Sequence, residues 1–223
     1  MHVIFYPPSV FVMQDHKCIS VIESVLRQGP HRAIRVLFIP HAVECMGTGH
    51  LAFGKCLSID LPGMRIIVLI KDSVFIDVGS GRGVFLIPFI KEFPWVKVIS
   101  LDLLEKRVTF LNELAEGGYG QLYAEQKDIC QQPFPDRSFD VVTLLEVLEH
   151  IPEVKKVVAA AVRMAKQYVV VTVPSKPDNN PEHIHLLTKA RLTEMFGAAG
   201  CTRLHFDGVE GHLFLVAAVG DCP

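Results

Sequence analysis

The sequence predicts an α/β fold, a Rossmann-like, mostly parallel sheet of seven strands with helices on both faces, an antiparallel C-terminal hairpin and an N-terminal extension. Three observations predict it. From Val74 onward, short apolar runs alternate with helix-length amphipathic segments, the pattern of a parallel sheet joined by crossover helices. A glycine turn, Gly79-Ser80-Gly81-Arg82-Gly83, follows the first of these runs directly. The last two runs are joined through Asp207–Gly211, too short for a crossover helix, so they pair as a hairpin.

The 223 residues suit one main α/β domain with an extension, read as residues 1–70 (an extension or cap) and 71–223 (the domain). Half of the chain is hydrophobic, 21% is charged and the formal net charge is −2, so no overall basic field draws a polyanion and nucleic acid is not favoured as a partner. The opening MHVIFYPPSVFVMQDHK has no basic leader, and its apolar run holds a Pro-Pro pair and an acid. No apolar run is long enough to span a bilayer. The expectation is therefore a soluble, cytoplasmic protein. Six cysteines are scattered without a CxxC pair, which reads as reduced thiols filling the core. His41, Cys45, His50 and Cys56 lie close together but match no zinc spacing. The sequence leaves the oligomeric state open.

Taken in order, residues 17–27 have helix-like spacing through Ile19, Ile22 and Leu26, and Ile34–Ile39 is short and apolar enough for a strand. Met64–Ile70 reads either as the end of a helix or as a strand, because its β-branched residues favour the latter. Strands are expected at Val74–Val78, Val96–Leu101, Gln121–Glu125, Phe139–Leu144, Tyr168–Val173, Thr202–Phe206 and His212–Val219. Helices are expected at Gly83–Phe93, Leu104–Glu116, Glu153–Ala165 and Thr188–Ala199.

In such a sheet the ligand lies beyond the carboxyl ends of the strands, where the strand order reverses. Glycine lets the chain turn sharply there, and the next helix offers unpaired N–H groups. Dinucleotide spacing fails, because Val84 stands where a glycine is required, and no Gly-Lys-Ser/Thr follows for a phosphate loop. A nucleoside cofactor without phosphates remains. Asp102 ends the second strand 19 residues past Gly83, where a carboxylate can accept from both ribose hydroxyls or, alternatively, sit as the acid at a helix start. Asp128, after the third strand, either meets an exocyclic amine of adenine or lies in a solvated loop.

FIDVGSGRG, LDLLEKRV and above all QPFPDRSFDVVTLLEVLEHIPEV resemble the corresponding motifs of class I S-adenosylmethionine-dependent methyltransferases, and the likeness runs from about residue 72 to 219. VVVTVPSKPDNNPEHIHLLTKARLTEMFGAAG resembles the branch that includes quinone and other small-molecule methyltransferases; in place of that family's Pro-Gly-Gly turn before the fifth strand stands Met164–Gln167. The resemblance implies S-adenosylmethionine as cofactor and Asp77, Gly79, Ser80, Gly81, Gly83, Asp102, Leu103, Asp128, Ile129 and Glu146 as its binding residues, with Asp77 near the methionine amine. It implies methylation of an O, N or C atom of a small-molecule acceptor.

Glu146, Glu149 and His150 follow the fourth strand and His183 and His185 the fifth, so both loops open at the cofactor end. His150, His185 and Glu146 are the catalytic candidates, a histidine being suited to take the acceptor's proton. Glu146, Glu149, His150 and one of His183 or His185 also resemble the metal site of small-RNA 3′-end 2′-O-methyltransferases, which makes a metal-dependent RNA enzyme the alternative. The leading assignment contains no metal. A noncatalytic binding module on the same fold is the third reading.

Overall fold

The computed structural model describes residues 73–131, 134–209 and 211–220, preceded by three strands: β1 (Ile34–Ile39), β2 (Cys56–Leu61) and β3 (Met64–Ile70). These three form a sheet ordered β1-β3-β2, with β1 parallel and β2 antiparallel to β3. Met64–Ile70 is thus a strand rather than a helix end, and Ile34–Ile39 is the strand expected. The expected helix at 17–27 and the group His41, Cys45 and His50 lie outside the described residues; Cys56 opens β2.

The seven-stranded sheet runs β6-β5-β4-β7-β8-β10-β9, built from β4 (Val74–Val78), β5 (Lys97–Asp102), β6 (Leu122–Gln126), β7 (Phe139–Leu145), β8 (Ala165–Pro174), β9 (Cys201–Val209) and β10 (His212–Val219). The first five of these are parallel, whereas β10 runs antiparallel to both β8 and β9. Four helices connect them: α1 (Leu86–Glu92), α2 (Glu105–Glu116), α3 (Val154–Met164) and α4 (Lys189–Ala198).

Strand side chains alternate between two cores. Phe75, Val98, Ala124, Val141 and Val216 pack with Leu86, Phe89 and Ile90 of α1 and Leu111 of α2. Their neighbours Ile76, Val142, Val169, Val171 and Leu215 pack instead with α3 and with Leu192, Met195 and Phe196 of α4. Because both faces are covered, the central strands are buried along their length, as β7 shows with six successive buried residues, Asp140 and Thr143 among them. Helix α3 passes into β8 without an intervening turn, so Met164–Gln167 is the last helical residue and the first three of the strand.

After β4 the chain adds β5 and β6 on one side and then returns to add β7 and β8 on the other. The reversal sets the glycine turn after β4 beside the loop after β7.

Candidate functional site

The glycine turn is shaped by three left-handed glycines, with φ of 74° at Gly79, 59° at Gly81 and 72° at Gly83. Gly79 is the tightest, since a Cβ there would stand 2.7 Å from Val147 Cγ2, in the loop that follows β7. Its N–H donates to the carbonyl of Leu101 at 2.7 Å, which ties the turn to β5. Gly83 packs on Leu111, and helix α1 begins three residues later than the spacing predicts because a left-handed residue cannot continue a right-handed helix. Gly81, by contrast, has only the Gly79 carbonyl, at 4.0 Å, near its missing Cβ. That open face is where a ligand can approach the backbone.

Asp77 and Asp102 lie on either side of this turn, both buried, at 3% and 5% exposure. Parallel register places Asp77 opposite Thr143, whose hydroxyl donates to Asp77 Oδ1 at 2.5 Å. Burial pushes the Asp77 carboxyl up to about 6, the Thr143 and Ser80 hydroxyls pull it down, and Asp102 adds repulsion. Ser80 donates to the Asp77 carbonyl and accepts from Ser100 at 2.7 Å, so its side chain braces the turn.

The Asp102 carboxylate is already well supplied with donors. Oδ1 accepts the N–H of Leu104 at 2.9 Å; Oδ2 accepts the N–H of Gly81 at 3.1 Å and a contact from Arg107 Nη1 at 3.3 Å. Asp102 supports the start of α2, as the second of the two readings expects, and stands at the strand end beside the turn. Leu103, which follows it, is 65% exposed, and Val84, which follows the turn, is 55% exposed, so both leave apolar surface uncovered. Asp128 caps the short 3-10 turn Ile129–Gln131 by accepting the N–H of Cys130 at 2.8 Å, and Ile129 is buried in the core.

Beyond β7, Glu146 is held at a left-handed φ of 55°, which is rare for a residue with a side chain. Its N–H donates to the Thr172 carbonyl at 3.1 Å, and its Oε2 meets His212 Nε2 at 3.1 Å, while Oε1 is buried with no partner. His212 was absent from the sequence-derived set. The signal was available, because an antiparallel last strand begins at the end where the parallel strands finish.

Glu149 is completely buried, with neither carboxylate oxygen hydrogen-bonded. Burial pushes its carboxyl up to about 8, an effect its own backbone N–H opposes and Glu146 and Asp178 reinforce. Its carbonyl accepts the N–H groups of Ile184 at 3.0 Å and His185 at 3.3 Å, which draws the loop after β8 onto the site. One ligand atom from each of Glu149, His150 and His183 lies within 4.8 Å of the others. His150 Nδ1 faces the Glu182 carbonyl at 3.0 Å, and His183 Nδ1 faces Asp178 at 2.7 Å. Both acceptors require a proton on Nδ1, which leaves each neutral ring with its lone pair on Nε2. His185 Nε2 is buried without a partner.

Residues 76–171 match the family model for a methyltransferase domain. That stretch of the chain is similar to a methyltransferase domain. The chain is 34% identical over 77 residues to the ribosomal RNA small subunit methyltransferase G of Leuconostoc mesenteroides, covering 33% of the chain and 32% of that protein. It is 31% identical over 143 residues to the ubiquinone biosynthesis O-methyltransferase of Serratia proteamaculans, covering 64% and 56%. It therefore spans about a third to just over half of the length of these curated relatives. A SAM-dependent methyltransferase structure from Aquifex aeolicus superposes with a TM-score of 0.57 at 19% identity, covering 67% of this chain and 85% of that one, which shows the fold.

The geometry beside the glycine turn fits S-adenosylmethionine. The turn's open face at Gly81 accommodates a close approach, Asp102 ends its strand beside that face, and the uncovered Leu103 and Val84 offer apolar surface to a base. The buried Asp77 carboxyl, raised by its surroundings, would be eased by an ammonium group. Among the described residues no helix is long and apolar enough to cross a membrane.

Proposed function

We propose that the protein transfers the methyl group of S-adenosylmethionine to an O, N or C nucleophile of a small molecule, and that residues 71–223 form the catalytic unit, with residues 1–70 as a separate extension. The observation that carries this reading is the glycine turn packed against Val147, which joins the cofactor cradle to the Glu146–His150 loop. In the proposed complex, Asp102 accepts from the ribose and Asp77 faces the methionine amine. Gly79, Ser80, Gly81 and Gly83 shape the loop around the cofactor, while Leu103, Asp128 and Ile129 border the adenine. The bound cofactor supplies a methyl group already activated by its sulfonium. The protein's own task is then mainly to hold the acceptor in line and exclude water.

Glu146, His150 and His185 are proposed to face the acceptor and take its proton as the new bond forms. His150 suits that role through the Nε2 lone pair that its Glu182 contact leaves free. Likeness to the ubiquinone biosynthesis enzyme over 64% of the chain supports a small-molecule acceptor. Titration calorimetry with S-adenosylmethionine and S-adenosylhomocysteine tests the cradle, and labelled methyl transfer into a small-molecule extract tests turnover. Absence of heat with both ligands would overturn the reading; heat without transfer would point to the binding module instead.

A second reading, a metal-dependent RNA methyltransferase, is favoured by one observation: a buried Glu149 with two unpartnered oxygens lies beside two histidines, one ligand atom from each of the three residues falling within 4.8 Å of the others. One carboxylate and two imidazoles suit a divalent transition metal such as manganese or zinc. Likeness to a ribosomal RNA enzyme over a third of the chain keeps RNA as an acceptor class. Elemental analysis of the purified protein, with activity before and after chelation, separates the two. Full activity in metal-free protein removes this second reading.

A further inference from the structure

We infer that Arg107 occupies the acceptor position on Asp102 that a ribose hydroxyl takes when the cofactor binds, so that the chain sets its own affinity for the nucleoside through a displaceable contact. The inference rests on the proposed role of Asp102 and adds a competitor to it.

An ionised carboxylate offers about four lone-pair positions. On Asp102 three are taken, by the N–H groups of Leu104 and Gly81 and by the Arg107 guanidinium. Two of these donors cannot leave. The Gly81 N–H is fixed by the left-handed turn, and the Leu104 N–H is fixed at the start of α2. One position therefore remains for a ribose that presents two adjacent hydroxyls, and the second must come from Arg107. This donor can move. Its contact, at 3.3 Å, is the longest of the three, and its side chain is 40% exposed while that of Asp102 is 3% exposed. In the ligand-free protein the guanidinium partly compensates a buried charge; on binding it can turn out into water, where a guanidinium is well solvated.

A purely supportive Arg107 and a competing one predict opposite signs. If Arg107 merely orients Asp102, removing it weakens cofactor binding. If it competes, removing it tightens binding, and more so for a ligand with both hydroxyls than for one with a single hydroxyl, which fits the free position without displacing anything. Titration calorimetry on the full chain, with S-adenosylhomocysteine and its 2′-deoxy analogue as probes, reads this directly. Arg107→Ala and Arg107→Gln are expected to bind S-adenosylhomocysteine about three- to tenfold more tightly than the parent, the size of an ion pair to a buried carboxylate. The 2′-deoxy analogue should gain less. Equal or weaker binding of S-adenosylhomocysteine by both variants overturns the inference, as does an equal gain for the two probes. If Asp102→Ala leaves the parent affinity unchanged, or if neither parent nor variants bind, the proposed cofactor site itself fails and the inference falls with it.

Discussion

Asp77 shows how burying a single carboxyl costs stability. Its carboxyl titrates near 6 in the folded chain against 3.8 as a free side chain, so folding takes up a proton between those values. The contribution of Asp77 to stability is therefore best below pH 3.8, declines as pH rises toward 6 and is at its worst above. Asp77→Asn should stabilise the ligand-free protein by about 1–3 kcal/mol at pH 7.5 and by little at pH 4, while S-adenosylhomocysteine binding is lost. Urea midpoints at the two pH values check the first part and calorimetry the second. Gly79 is constrained by space and by φ together. Gly79→Ala should cost about 1–3 kcal/mol, and adding Val147→Ala should recover the steric share but not the backbone share. Cys201 is inert for a related reason, since burial pushes its thiol up to about 11.

At the scale of elements, the strands and helices were legible because each carries its periodicity locally. Asp102 ends its strand as expected, whereas α1 starts at Leu86 rather than Gly83 because a left-handed Gly83 cannot continue a right-handed helix. The strand Cys56–Leu61 was missed although Pro62-Gly63 stands between it and Met64–Ile70 as a turn signal, because Ser58 and Asp60 interrupt its apolar run. The cradle was legible as a motif. The contacts that tune it were not, since Thr143 reaches Asp77 only through strand register and Asp178 reaches His183 only through a folded loop. Edge protection is another such feature. Strand β6 is outermost, and Asn112 of α2 bonds both the N–H and the carbonyl of Ala124, at 2.9 and 3.0 Å, standing in for a neighbouring strand. Asn112→Leu should cost about 1–3 kcal/mol by leaving two backbone groups unpaired, and should promote association. Denaturant midpoints together with light scattering test it.

At the scale of the molecule, the reversed direction of β10 carries a residue from the end of the chain back to the middle of the site. His212 pairs with Pro174 on one side and Val209 on the other, and the Gly211 carbonyl before it accepts both the N–H and the hydroxyl of Ser175. The imidazole is thus held by strand pairing, and through its contact with Oε2 it helps fix Glu146 in a left-handed conformation that costs free energy to maintain. In the proposed function Glu146 faces the methyl acceptor, so His212 would act on the acceptor side through it. The cradle residues do not share this contact, so the two functions should separate. His212→Ala should lower methyl transfer by about tenfold or more, as the loss of a positioning contact can, with S-adenosylhomocysteine affinity within about twofold of the parent. His212→Gln, which can still donate a hydrogen bond toward Glu146, should recover part of the rate. Equal loss of transfer and of cofactor binding would instead assign Glu146 to the cofactor, and an unchanged rate would remove both residues from the acceptor side.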